Sequence, residues 1–317
     1  MLSLSAALAR RILPQLSEEA PRSEGLRTWI GTGSFYVDSA PMLKSILLKN
    51  VVLTELIPFV SYDYERFALS SMESLLFCGS ETSRPQALGW PAAKLYYAAF
   101  FGAHAVMRAT GHAVLRLEGA QAARITQIAS LYDPTVQLTP GTYLSRLKQG
   151  QQLSIDVELG RLADSGGAHD QFWRCFYSFL GNLAEDVASG NEPEATAVAG
   201  ETSEIQNVLS AAGLHPGTWL SGVRNQITYQ HKHGAWFPFN NSRTDAVDYV
   251  SRVSIRDSSS VRRDYNASRD PLLAFCAGCH LIALIGVDLG TNLCGRLRRN
   301  SRFEQLWNRL RQERPHV

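Results

Sequence analysis

Apolar residues recur at helical spacing over most of the chain. Within residues 62–78, Phe67, Leu69, Met72, Leu75 and Leu76 return in steps of about three and four, and residues 43–59 read the same way, so both stretches are predicted helices. Residues 92–110 are apolar on nearly every side, with Pro91 at the start and Gly111 at the end. Such a helix belongs at the centre of a bundle. Its Ala92, Ala99, Gly102, Ala103 and Val106 form a line of small side chains that lets a second helix come close. Amphipathic or wholly apolar helices follow at 170–187, 216–231, 271–289 and 301–312, and a short one at 3–16 is stopped near Pro14. The polar stretches 17–27, 79–91 and 188–203 read as linker or loop, and 234–269 as irregular or short strands.

Between Gly111 and Gly167 the period changes. Residues 142–147 and 153–159 alternate apolar and polar around Gln149, Gly150 and Gln151, which predicts a β-hairpin inserted into a helical protein. The expected architecture is therefore mainly α: an N-terminal helical arm or subdomain over 1–61, a helical bundle domain over 62–295 with an insertion at about 111–167, and a basic C-terminal helix over 296–317. No internal repeat and no low-complexity tract interrupts it.

Composition narrows the partners. A chain of 317 residues, 45% hydrophobic, can bury a large core. The net charge of +2 does not mark a general nucleic-acid binder, but residues 296–317 carry seven arginines against Glu304 and Glu313, so basic charge is concentrated at the end. There Phe303, Leu306, Trp307 and Leu310 recur as an aromatic stripe that predicts docking onto the core, with a solvated basic face outward. The five scattered cysteines form no disulfide framework, and the first residues lack a secretory layout, so a reducing cytoplasm is expected. The longest apolar run, 272–287, is about sixteen residues, contains His280 and falls short of a bilayer span. It is expected to be a buried helix, and no membrane partner is expected.

Two clusters carry candidate chemistry. Cys276, Cys279 and His280 match a covalent haem-attachment string, but their apolar surroundings favour small core residues. The sharper candidate is Arg224, Asn225 and His231. On a helix that persists to residue 231, Arg224, Thr228 and His231 share a stripe beside Trp219, Leu220, Val223 and Ile227. Histidine transfers protons near neutral pH, and arginine offers a planar fork to phosphate oxygens. RNA supplies its own nucleophile, the 2′-hydroxyl, so this trio suffices for cleavage without metal or cofactor. Lys232 and His233 follow as candidate RNA-phosphate contacts, and Lys94, Tyr97 and His104 lie on the early helix, where core packing is expected for Tyr97. The plain alternative for Arg224 and His231 is the solvated face of an amphipathic helix.

Arg224-Asn225 with His231 following resembles the Arg-Asn, four-to-six-residue gap, His motif of the HEPN superfamily, and residues 94–107, KLYYAAFFGAHAVM, resemble that family's aromatic- and alanine-rich early helix. The resemblance covers residues 62–289 apart from the insertion. It implies a HEPN-like antiparallel helical bundle, a homodimer with a composite active site, and a metal-independent endoribonuclease of antiphage-defence or toxin type, held in check by an antitoxin or another defence-system protein. It further implies that Arg224 holds the scissile phosphate, His231 transfers a proton at the 2′-hydroxyl or the leaving oxygen, and Asn225 orients these groups or the backbone. A catalytically inactive HEPN-type subunit that binds RNA, nucleotide or a protein partner is the other implied reading. In one toxin branch a tyrosine stands two residues beyond the histidine and is modified by the antitoxin; His233 stands there in this chain, which argues against that route of regulation.

Overall fold

In a computed structural model, residues 2–18, 23–40, 45–78, 87–150, 154–211, 216–236, 244–255 and 258–312 are described, and they form twelve helices and one five-stranded sheet. The chain begins with α1 (Leu2–Arg10) and α2 (Leu26–Thr32), then β1 (Tyr36–Ala40) and β2 (Ser45–Val51). The long α3 (Leu53–Leu76) follows. The helix expected at 43–59 is thus corrected: its first half is strand β2, and its second half runs without a break into the helix expected at 62–78, so position 61/62 lies inside α3. The linker expected at 17–27 already contains the start of α2; residues 19–22 of it, and 79–86 of the break after α3, lie outside the described residues.

Next come α4 (Gly89–Ala109), β3 (His112–Leu117), α5 (Gly119–Ala129), β4 (Gly141–Gln149) and β5 (Ile155–Arg161). The expected hairpin is present: β4 and β5 pair antiparallel, with Leu147 opposite Val157 and Gln149 opposite Ile155, while turn residues 151–153 lie outside the described residues. The sheet order β1-β2-β5-β4-β3 joins the N-terminal strands to those of the insertion. One sheet therefore draws on segments more than a hundred residues apart, such as Ile46 opposite Leu159.

The remaining helices are α6 (Ala168–Ser189), α7 (Ala195–Leu209), α8 (Trp219–Gln230), α9 (Thr244–Ser251), α10 (Ser258–Ala267), α11 (Pro271–Cys294) and α12 (Arg302–Gln312). Two expected loops are corrected here. Residues 188–203 contain most of α7, whose Val198, Thr202, Ile205, Val208 and Leu209 return at helical spacing and are buried, and 234–269 contain α9 and α10 in place of strands.

Helix α4 packs against α3, α11 and α8 at the centre. The small-residue line acts at one point above all: a Cβ on Gly286 of α11 would lie 2.8 Å from the Gly102 Cα, so the two backbones meet where neither residue has a side chain. The apolar run expected to fall short of a bilayer span is part of a longer helix: α11 is long and apolar enough to cross one, and most of it is buried in the protein. Pro271 opens it, and the Asp270 carboxylate accepts the Leu272 N–H at 3.0 Å as an N-cap. Cys276, Cys279 and His280 lie wholly inside, and both ring nitrogens of His280 are engaged, Nδ1 with Tyr249 Oη and Nε2 with the Ser254 carbonyl. Burial pushes both thiols well above their usual value. Among the described residues no disulfide forms.

Helix α12 docks on α3 through Phe303 and Trp307, 0% and 1% exposed, as its stripe predicts. Beneath it the buried Glu65 carboxyl faces Arg302 at 4.0 Å. Burial pushes Glu65 up to about 7, with Arg302 opposing. The unfolded chain releases this proton near the ordinary carboxylate value, so from there to about pH 7 the folded state binds more protons and loses stability as pH rises. Glu65→Gln is therefore expected to melt a few degrees above the wild type at pH 8, on the order of 2 kcal/mol, with the advantage gone at pH 4.5. Equal melting temperatures at both pH values would contradict this.

Candidate functional site

Helix α8 presents the apolar face its spacing predicts: Trp219, Leu220, Val223 and Ile227 are buried. Arg224 sits at the edge of that face, half-buried against α4. Its Nη2 donates to Tyr97 Oη at 2.7 Å and its Nη1 to Asn225 Oδ1 at 2.8 Å. The guanidinium carbon lies 5.8, 5.7 and 5.3 Å from the ring centroids of Tyr96, Tyr97 and Tyr229. These ring faces favour a cation. Among the described residues no carboxylate pairs with Arg224, so three of its five N–H groups remain available. Tyr97, expected in the core, is half-buried and belongs to this site.

His231 is placed differently from the helical expectation. The helix ends at Gln230, and His231 takes the left-handed conformation, φ 52° and ψ 30°, while the Lys232 N–H closes the turn on the Gln226 carbonyl at 3.1 Å. Histidine is among the few non-glycine residues that enter this region readily. The predicted stripe of Arg224, Thr228 and His231 therefore breaks at its last member. The exposed His231 ring lies 5.7 Å from Trp236, which packs over Gly89, donates from Nε1 to the Ile227 carbonyl at 2.7 Å, and meets Trp90 edge-on at 5.5 Å. The Gly89 N–H also bonds the Ala235 carbonyl at 2.9 Å, so this loop is pinned to the first turn of α4. Tyr97 stands eight residues further along, about 12 Å at the helical rise. Arg224 and His231 thus occupy neighbouring surface, and no hydrogen bond or ring contact joins them among the described residues.

Lys232 is exposed. His233 folds back, its Nε2 at 2.7 Å from Gln226 Oε1, and burial with the Lys232 charge lowers its pKa. Trp90 and Tyr229, 65% and 69% exposed, flank the area. His104 is core: it stacks between Phe67 and Phe172 at centroid distances of 4.5 and 3.7 Å.

Sequence reasoning missed His169, in the first turn of α6. Its Nδ1 lies 2.8 Å from Tyr96 Oη, which also accepts from Trp173 Nε1 at 3.0 Å. Burial, then the nearby Arg224 charge, lowers the His169 pKa. The Ser221 hydroxyl donates to Asp170, tying α8 to the same turn. A histidine 55 positions before Arg224 carries no local signature that would connect the two. Among the described residues no group of three or more His, Cys, Asp or Glu gathers to hold a metal ion.

No family model, curated protein or solved structure matches this chain.

Proposed function

We propose that the chain is a HEPN-like, metal-independent endoribonuclease acting in antiphage defence or as a toxin in the cytoplasm, with RNA as substrate and an antitoxin or other defence-system protein as its regulator. The observation that carries the reading is the unsaturated Arg224 fork, half-buried among tyrosines and unpaired with any described carboxylate. Such an arginine binds a phosphoryl group at low screening. Asn225, which accepts from Nη1, orients the guanidinium. His231 removes the 2′-hydroxyl proton or protonates the departing 5′-oxygen. The new O–P bond and the broken P–O bond balance to a 2′,3′-cyclic phosphate and a 5′-hydroxyl, with no water, metal or oxidant consumed. Lys232 and His233 would steer the adjoining backbone. Because His231 does not meet Arg224 within one chain, the working site takes Arg224 and Asn225 from one subunit and His231 from its partner in a homodimer.

That same separation favours a second reading, a catalytically idle HEPN-type subunit that binds RNA, nucleotide or a protein partner. Incubation with RNA in EDTA distinguishes them. The wild type is expected to give cyclic-phosphate ends, with Arg224→Ala and His231→Asn slower by about 100- to 10,000-fold. Asparagine suits position 231 because it also tolerates the left-handed backbone. Undiminished cleavage by both variants removes the assignment, and RNA binding without cleavage by the wild type supports the second reading.

A further inference from the structure

The hydrogen bonds around Tyr96 determine which nitrogen of His169 carries its hydrogen. The Trp173 indole can only donate, so its Nε1–H fills one acceptor position of the Tyr96 hydroxyl. Tyr96 is wholly buried, and among the described residues its own proton has one acceptor, His169 Nδ1. A proton on Nδ1 would turn that contact into a second donor aimed at Tyr96 and leave a buried hydroxyl proton unpaired, which folded proteins avoid. His169 is therefore neutral with its hydrogen on Nε2, and its lowered pKa agrees.

Nε2 has no hydrogen-bond partner among the described residues. The ring is wedged against Tyr96, Tyr97 and Phe100 of α4, with centroids 5.6, 6.2 and 4.5 Å away. Tyr97 in turn accepts from Arg224 Nη2, which leaves its O–H to donate. The charged groups at this corner are Arg224 of α8 and Asp170 of α6, and Asp170 is already engaged by Ser221. What the corner offers a ligand is thus three kinds of donor: guanidinium N–H, phenol O–H and imidazole N–H.

We propose that His169 Nε2–H and Tyr97 O–H complete, with Arg224, a cradle of three donors for a phosphoryl group, in which His169 binds the anion and transfers no proton. The proposal rests on the reading of Arg224 as a phosphate ligand and assigns the second arm of that site. It also explains why Trp173 and Tyr96 are joined in line behind the imidazole: they hold the donor tautomer in place. An Nε2–H imidazole has no lone pair to offer at that nitrogen, so proton transfer stays with His231.

The test uses a fluorescent 2′-O-methyl RNA of mixed sequence, which carries phosphates and has no free 2′-hydroxyl to react. His169→Leu, which keeps bulk and removes the donor, is expected to weaken binding roughly ten- to hundredfold, and His169→Gln, which returns an N–H, to recover most of the loss. Wild-type affinity in His169→Leu while Arg224→Ala loses binding overturns this assignment alone. Wild-type affinity in both overturns the phosphate site and the proposal with it. A second readout does not depend on the variants folding: ¹⁵N-histidine spectra of the wild-type protein at pH 7 should show His169 protonated only on Nε2, with that N–H shifted by the RNA. A proton on Nδ1, or an imidazolium, overturns the proposal.

Discussion

Asp63→Ala is expected to lower the unfolding free energy by about 3–5 kcal/mol, because it strands a buried charge. Asp63, on α3, accepts the Leu26 N–H at 3.2 Å and Arg66 Nη2 at 3.1 Å, and its Oδ2 lies 3.6 Å from Arg108 Nε. Arg108, 4% exposed, sits on α4 and donates onward to the His112 and Val114 carbonyls at 3.5 and 3.3 Å. One carboxylate therefore ties α2, α3 and α4 together and, through Arg108, reaches β3. Burial depresses the Arg108 pKa, and Asp63 is the group that opposes this. Without Asp63 the guanidinium keeps its desolvation penalty and loses its counter-ion. Removing both charges is the control: Asp63→Ala with Arg108→Met should recover much of the loss, since replacing a whole buried pair by apolar groups is far cheaper than breaking it. Urea midpoints at unchanged slope measure this cycle. A loss under about 1 kcal/mol for Asp63→Ala, or additive effects in the double variant, would contradict the account.

Arg224→Lys separates charge from geometry at the candidate site. Lysine keeps the positive charge but cannot bond Tyr97 and Asn225 while presenting two further donors to a phosphate. Cleavage by both Arg224→Lys and Arg224→Ala is expected to fall by about 100- to 10,000-fold in kcat/KM, the scale of losing a group that stabilises developing charge. Lysine should recover little of it. Because Arg224 is half-buried and among the described residues bonds two side chains, both proteins should unfold within about 1 kcal/mol of the wild type. A lysine variant as active as the wild type would mean that bulk charge, and not the fork, matters here.

What the sequence made legible follows the range of the interactions. The α4 core helix, the α11 helix, the β4–β5 hairpin and the buried face of α8 rest on local periodicity, and each is present in the fold. Strand β2 was hidden because Ile46, Leu47 and Leu48 form a short apolar run that suits helix or strand equally, and its partner β5 lies about a hundred residues away in the chain. The N-terminal arm is likewise bound by distant partners: Leu4, Ala7 and Leu8 are fully buried, and α1 packs on α7 and α11. At the site, the apolar border beside Arg224 was readable from spacing, whereas the Arg224–Asn225 bond, though it joins adjacent residues, was not foreseen. The left-handed His231 was not readable, because ending α8 at Gln230 depends on the loop to Trp236 closing over Gly89. His169 reaches Arg224's surroundings only through the packing of α6 on α4 and α8.

The separation of Arg224 from His231 makes the composite site the central claim. Arg224→Ala and His231→Asn chains, each expected to be at least about 100-fold impaired alone, should be mixed, dissociated and reassociated, and assayed on RNA in EDTA. Random pairing places both variants in half of the dimers, and each such dimer holds one site with an intact Arg224 and an intact His231, so activity should return to about a quarter of the wild type. A mixture no more active than its two components would contradict a site shared between two chains.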